Sequence, residues 1–225
     1  MSNNSIPSIQ LKGHGGPVLC LEHNSSVLNA GSEVTAGCLL SGSEDQTCRL
    51  WDLRAGLRAS TCILAGGEVT SVAFAPPYTT AATGGPFSRN FAVYLGVGNK
   101  VLGYDLRKAD SPIVQLTEEH FNNPILEAED EINQIVLSGQ KPNQALHLAA
   151  ADDTGTVQVT DSIEPSTRRH CSNNNSNKRK RVLHHDKEQV SMVMTTVFRP
   201  RSKGLELASG GTDCQILFWD VNKPK

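Results

Sequence analysis

The chain has 225 residues, 38% of them apolar and 20% charged, with a formal net charge of −2. That length supports one sizeable core or two small ones, and the near-zero charge excludes a global attraction to nucleic acid or anionic lipid, leaving only local clusters to supply one. No run of about 18 apolar residues occurs and "MSNNSIPSIQLKGHGG" lacks the pattern of a signal peptide, which predicts a protein of the nucleus or cytoplasm with no membrane partner.

In chain order, "PVLCLEH" alternates apolar and polar residues at period two, as a strand does. The first unit is predicted to hold strands at about 17 to 23, 38 to 43, 47 to 51 and 58 to 64, with Asp45 in the hairpin between the second and third. "GEVTSVAFAPP" and "FAVYLGVGNKVLGYDLR" form a second unit. Gly96, Gly98 and Gly103 there lack the following helix and the spacing of a dinucleotide loop, and Gly98-Asn99 is a hairpin turn. The acidic "ILEAEDEIN" is a solvated loop leading into the next strand.

"DEINQIVLSGQ" with "LHLAAADDTGTVQVTD" makes a third unit, turning at Asp153-Thr154-Gly155. Residues 164 to 181, which include "SNNNSNKRKR", cannot build a core and are predicted to be a disordered basic loop inserted before that unit's last strand. Lys178, Arg179, Lys180 and Arg181 within it are candidates for nuclear import, for phosphate binding, or for a solvated tip. With no aromatic residue among them, nucleic acid is the weakest of these partners. The fourth unit is "VSMVMTTVFRP" with "LELASGGTDCQILFWDVN".

The units repeat. Trp51, Tyr104, Thr160 and Trp219 hold equivalent places at intervals of 53, 56 and 59 residues, and Asp45 and Asp213 each precede their tryptophan by six. Such a period signals a repeat architecture in which no unit can bury both of its faces alone. The units run over about 12–65, 66–119, 130–185 and 188–225, with 1–11 available as a closing strand.

Gly13-His14, the small residues Ser41 to Ser43, Asp45 and Trp51-Asp52 resemble the signature of WD-repeat β-propellers. The resemblance implies an all-β propeller of four-stranded blades. It also implies a structural blade network of His14, Ser41 or Ser43, Asp45 and Trp51, with Ser209, Asp213 and Trp219 as its counterparts in the last unit. That unit lacks a Gly-His pair, and its His184-His185 stands at the wrong spacing. More narrowly, "GHGGPVLCL", "GEVTSVAFAP", "AAADDTGTVQV" and "VFRPRSKGLELASGGTDCQILFWD" are similar to the WD repeat-containing protein 53 family. That likeness implies a ring of seven blades, so four blades predict an incomplete ring or a truncated, inactive product. An open arc would expose the faces of its first and last blades.

No enzyme signature is present: Gly-x-Ser-x-Gly, a phosphate-binding loop and His-Glu-x-x-His are all missing. The expected function is protein binding without catalytic residues, cofactor or metal. Cys20, Cys38, Cys48, Cys62, Cys171 and Cys214 form no Cys-x-x-Cys pair and are expected to be reduced thiols. One position in "LLSGSEDQTCRLWDLR" is not required by a blade, and that is Arg54. The stretch resembles the box by which WD-repeat proteins dock on the damaged-DNA-binding adaptor of cullin-4 ubiquitin ligases, and "LGYDLR" repeats its end. The resemblance implies adaptor contacts at Asp52, Arg54, Asp105 and Arg107. Asp52 and Arg54 would share one side of an extended segment. Arg54 either docks the adaptor there, giving a substrate receptor, or pairs within its own blade of a scaffold with no ligase link.

Overall fold

Strands that are apolar on both sides have to be covered on both sides, and this chain meets the requirement by stacking sheets face to face. The computed structural model describes residues 10–24, 37–53, 59–75, 92–138, 147–161, 180–185, 191–200 and 205–223. Four antiparallel strands, β1 (Val18–His23), β2 (Cys38–Ser43), β3 (Thr47–Asp52) and β4 (Ala59–Leu64), form the first blade. The second begins with β5 (Val69–Phe74), β6 (Ala92–Val97) and β7 (Lys100–Asp105). The chain then leaves this sheet through a 3-10 turn at Leu106–Lys108 and adds β8 (Ile113–Gln115) to the first blade, parallel to β4. A one-turn helix, α1 (Glu118–Asn122), leads back to β9 (Leu126–Glu127), the outer strand of the second blade. That strand lies beyond residue 119, where the repeat places the end of this unit.

The third blade is β10 (Ile132–Leu137), β11 (His147–Asp152), β12 (Thr156–Asp161) and β13 (Lys180–His184), and the fourth is β14 (Val193–Phe198), β15 (Glu206–Gly211) and β16 (Ile216–Asp220). The expected basic loop is corrected at its end: Lys180 and Arg181 open β13, paired with Thr160 and Val159. The rest of 164–181 lies outside the described residues, as do residues 1–9 of the expected closing strand. Residues 10 and 11 are not in a strand. Cys20, Cys38, Cys48, Cys62 and Cys214 are free thiols, and among the described residues no helix is long and apolar enough to cross a membrane.

The blades interlock through one repeated device. Each inner strand carries a bulge at the same place, between Val18 and Cys20, Val69 and Ser71, Ile132 and Gln134, and Val193 and Thr195. Opposite each bulge the second strand holds a small residue: Gly42, Gly96, Ala151 and Gly210. The buried Val69, Ile132 and Val193 are knobs that enter the hole of the preceding blade. A Cβ on Gly42 would lie 2.6 Å from Val69 Cγ1 and 2.7 Å from the Val69 carbonyl oxygen, and one on Gly96 would lie 3.4 Å from Ile132 Cγ2. Ala151 and Val193 share the third core.

Hydrogen bonds fix the same three knobs. Cys20 Sγ donates to the Val69 carbonyl at 3.5 Å, Thr70 Oγ1 to that of Ile132 at 2.5 Å, and Asn133 Nδ2 to that of Val193 at 3.1 Å. In return, Glu22 accepts from the Phe74 N–H at 2.8 Å, Ser71 from Ile135 at 3.0 Å and Gln134 from Thr196 at 2.7 Å. The numbers of bonded partners rise together along each pair, so neighbouring inner strands run in one direction and the four blades stack in the same sense. Together these strands line a cavity of about 760 Å³.

One of these interblade groups is out of its ordinary state. Burial raises the Glu22 carboxyl from 4.5 to about 7, against the opposing effect of the Phe74 N–H. Between those values the folded chain holds a proton that the unfolded chain has released, so this group makes stability fall as pH rises through that window and costs nothing below it. Glu22→Gln keeps an acceptor for Phe74 and removes the charge. Urea unfolding is expected to find it more stable than the parent by up to about 3 kcal/mol near pH ~8, and unchanged near pH ~4. A second expectation concerns the hole: Gly42→Ala forces a Cβ against the Val69 backbone and lowers stability by about 1–3 kcal/mol in the same assay.

Candidate functional site

A buried imidazole and a buried carboxylate are tolerable only when their polar atoms are paired. In the first blade Trp51 Nε1 donates to Ser41 Oγ at 2.8 Å, Ser41 Oγ lies 2.6 Å from His14 Nε2, and His14 Nδ1 lies 2.9 Å from Asp45 Oδ2. An indole can only donate and a carboxylate can only accept, so the chain has one consistent direction: Trp51 to Ser41, Ser41 to His14, His14 to Asp45. Ser43 takes no part in that link. Its hydroxyl donates to the Gly16 carbonyl at 3.3 Å and accepts from the Asp45 N–H at 3.1 Å, shaping the turn.

Burial alone would raise the Asp45 carboxyl. The Thr47 hydroxyl, the Gly15 N–H, His14 and the Thr47 N–H all donate to it, however, and together hold it well below the usual carboxylate range. These bonds tie the segment before β1 to the β2–β3 hairpin, so the polar chain is a clamp within the blade.

The fourth blade corrects the expectation that its His184-His185 pair stands at the wrong spacing, because His185 supplies the imidazole of a second clamp. His185 Nδ1 lies 2.7 Å from Asp213 Oδ2, its Nε2 lies 2.6 Å from Ser209 Oγ, and Trp219 Nε1 donates to Ser209 Oγ at 2.7 Å. The hydrogen bond from His185 is the main cause that lowers the Asp213 carboxyl below its ordinary value. His14 stands four residues before β1 and His185 eight before β14, and no glycine precedes His185. Neither the signature nor the spacing therefore marks it.

The third blade uses a different solution, which the signature does not include. Asp152, buried at the end of β11, accepts at Oδ1 from the Thr154 hydroxyl at 2.6 Å and the Thr156 N–H at 3.1 Å, and at Oδ2 from the Thr156 hydroxyl at 2.7 Å. Its signal is the threonine-rich turn "DDTGT", in which two hydroxyls can reach one carboxylate.

With the clamps absorbed by the fold, the third-strand ends are left as the candidate contact surface. Asp52 ends β3 and Asp105 ends β7. Arg54 lies outside the described residues, and Arg107 sits in the 3-10 turn, so the alternation of an extended segment does not carry from Asp105 to Arg107. Beside Asp105 the surface is indented by a cleft of about 330 Å³ lined by Tyr104, Lys108, Glu119 and His120. The Tyr104 and His120 rings are 6.1 Å apart. Burial, then Asp110 and Asp105, push the Tyr104 hydroxyl above its ordinary value. Of the basic cluster, Lys178 and Arg179 are outside the described residues, while Arg181 has a guanidinium nitrogen buried in the third blade. Among the described residues no group of three or more His, Cys, Asp or Glu is placed to hold a metal.

A family model for the WD domain, G-beta repeat, matches residues 5–52. The chain is 29% identical over 224 residues, 98% of its length, to the WD repeat-containing protein 53 homolog of Dictyostelium discoideum. It covers 48% of that protein, and so spans about half the length of this curated relative.

The fourth-blade clamp has a direct test. Ser209→Ala leaves the Trp219 indole and His185 Nε2 without their shared partner, and is expected to lower stability by about 1–3 kcal/mol. Ser41→Ala should cost a similar amount in the same denaturant titration. A change of less than about 0.5 kcal/mol at Ser209, typical of a surface site, would show that this clamp carries no stability.

Proposed function

We propose that this WD-repeat chain is a non-enzymatic interaction scaffold that acts as a substrate receptor of a cullin-4 ubiquitin ligase, docking on the ligase adaptor through the Trp-Asp-x-Arg end of its first blade. The observation that carries the proposal is the parallel stacking of the blades. The third strands of two neighbouring blades end in Asp52 and Asp105, each with an arginine two residues on, so both ends emerge on one rim. A guanidinium fork suits an acidic or carbonyl-rich surface, and a desolvated arginine at an interface centre is worth about 2 kcal/mol or more. The other rim and the inner cavity are left for a client. No cofactor is needed, and residence in nucleus and cytoplasm is part of this reading, although only Lys178 and Arg179 of the basic run stand outside β13 for an import factor to read.

A second reading is favoured by the cavity itself, where the exposed Leu19, Leu21 and Met194 offer an apolar grip for a peptide. It describes a scaffold with no ligase link. Unbiased partner capture separates the two, since adaptor and cullin are recovered only under the first.

With purified adaptor, Arg54→Ala is expected to weaken binding at least about 30-fold, the equivalent of about 2 kcal/mol, while leaving the strand spectrum intact. Arg107→Ala should have a smaller effect. Binding by Arg54→Ala within about twofold of the parent would overturn adaptor docking through this box.

A further inference from the structure

The three blade interfaces of this chain are copies of one another, and the outward faces of its first and fourth blades expose the two halves of the same kind of interface. Cys48 and Leu50 in the first blade, and Val157 and Val159 in the third, occupy the third-strand positions that face the next blade, and all are buried there. The same positions in the fourth blade are Ile216 and Phe218, which are 73% and 81% exposed. Beside them lies Gly210, in the place of the holes Gly42, Gly96 and Ala151. A Cβ on Gly210 would meet only its own blade, at Thr195 Cγ2 and the Gln215 carbonyl oxygen.

At the opposite end, Val18 holds the place of the knobs. Val69, Ile132 and Val193 are fully buried, whereas Val18 is 48% exposed and Leu21, the counterpart of the buried Val72 and Ile135, is also exposed. One end of the arc is therefore an open hole with an apolar surround, and the other is a free knob of matching size.

We propose that these ends bind each other between two copies of this chain, head to tail, with Val18 of one copy entering the hole at Gly210 of the other. The occupant is specified by continuity with the interfaces already in the chain: the fourth blade offers what the first three offer, and the first blade offers what the last three insert. Because the two joined patches differ, the contact is heterologous, and it closes or extends according to the rotation it imposes. The faces joined are distinct from the rim that carries Asp52 and Asp105, so this association stands or falls independently of adaptor docking.

The test is light scattering of the purified chain over a concentration series. The parent is expected to rise from the 24.2 kDa of one chain to two or more. Phe218→Asp and Val18→Asp, both at exposed positions, should each remain at one chain while keeping the parent strand spectrum. Gly210→Val, which fills the hole, should do the same. Mixing Phe218→Asp with Val18→Asp leaves one intact hole facing one intact knob, and should restore a mass of two chains. A parent that stays at one chain at every concentration overturns the proposal. So does a mixture that fails to associate, or a Phe218→Asp or Gly210→Val variant that associates as the parent does.

Discussion

The whole arrangement depends on sheets that are apolar on both faces. A single blade of this kind would leave one face in water, so its stability is that of a stack. The spacing of the stack is set by very few atoms. A glycine or alanine in the second strand lets the neighbour's valine or isoleucine approach to contact distance, and a polar side chain from the preceding inner strand bonds the carbonyl of that same residue. Apolar packing supplies the attraction, and the hydrogen bonds select the register, because a slip of one residue would leave buried donors and acceptors unpaired.

The polar clamps solve a different problem, that of fastening the segment before an inner strand to the hairpin beyond it. In the first and fourth blades a directed run from indole to hydroxyl to imidazole to carboxylate satisfies each member. In the third a buried aspartate is satisfied by two threonines instead. These are the residue types that, in isolation, suggest acid–base chemistry. Here their hydrogen-bonding capacity is directed to one another, which is why a functional reading of the chain rests on rims and faces.

Much of this was legible in the sequence, for identifiable reasons. Period-two alternation and the turns at Asp45 and Gly98-Asn99 locate strands because side-chain direction alternates strictly there. The first clamp is legible because all its members stand at signature spacing. His185 is not, since the clamp requires only that an imidazole reach the hairpin, and the length of the segment that delivers it can vary. The strands and helix between Ile113 and Glu127 leave no such trace: β8 and β9 have three and two residues, and α1 has a single turn, too short for any periodicity to register. Composition points Lys180 and Arg181 to a loop, whereas their backbone pairs with β12 whatever their side chains carry. The holes opposite the bulges were invisible as such, since a glycine in a strand announces close approach without saying to what.

The excursion that adds β8 to the first blade bears on how the arc comes apart. By sequence β8 belongs to the second unit, yet its ladder is with β4, and Leu116 bonds back to the Leu64 carbonyl at 3.0 Å. Phe121 lies beneath Gly66, and Lys100 Nζ holds the Phe121 carbonyl at 3.0 Å, so the excursion is pinned at both of its destinations. The first two blades are thereby stitched by a strand as well as by their faces, and neither can peel away without ripping out part of the other. They make a single cooperative unit, the natural last holdout during local opening, while the junctions further along the arc are free to breathe at lower cost.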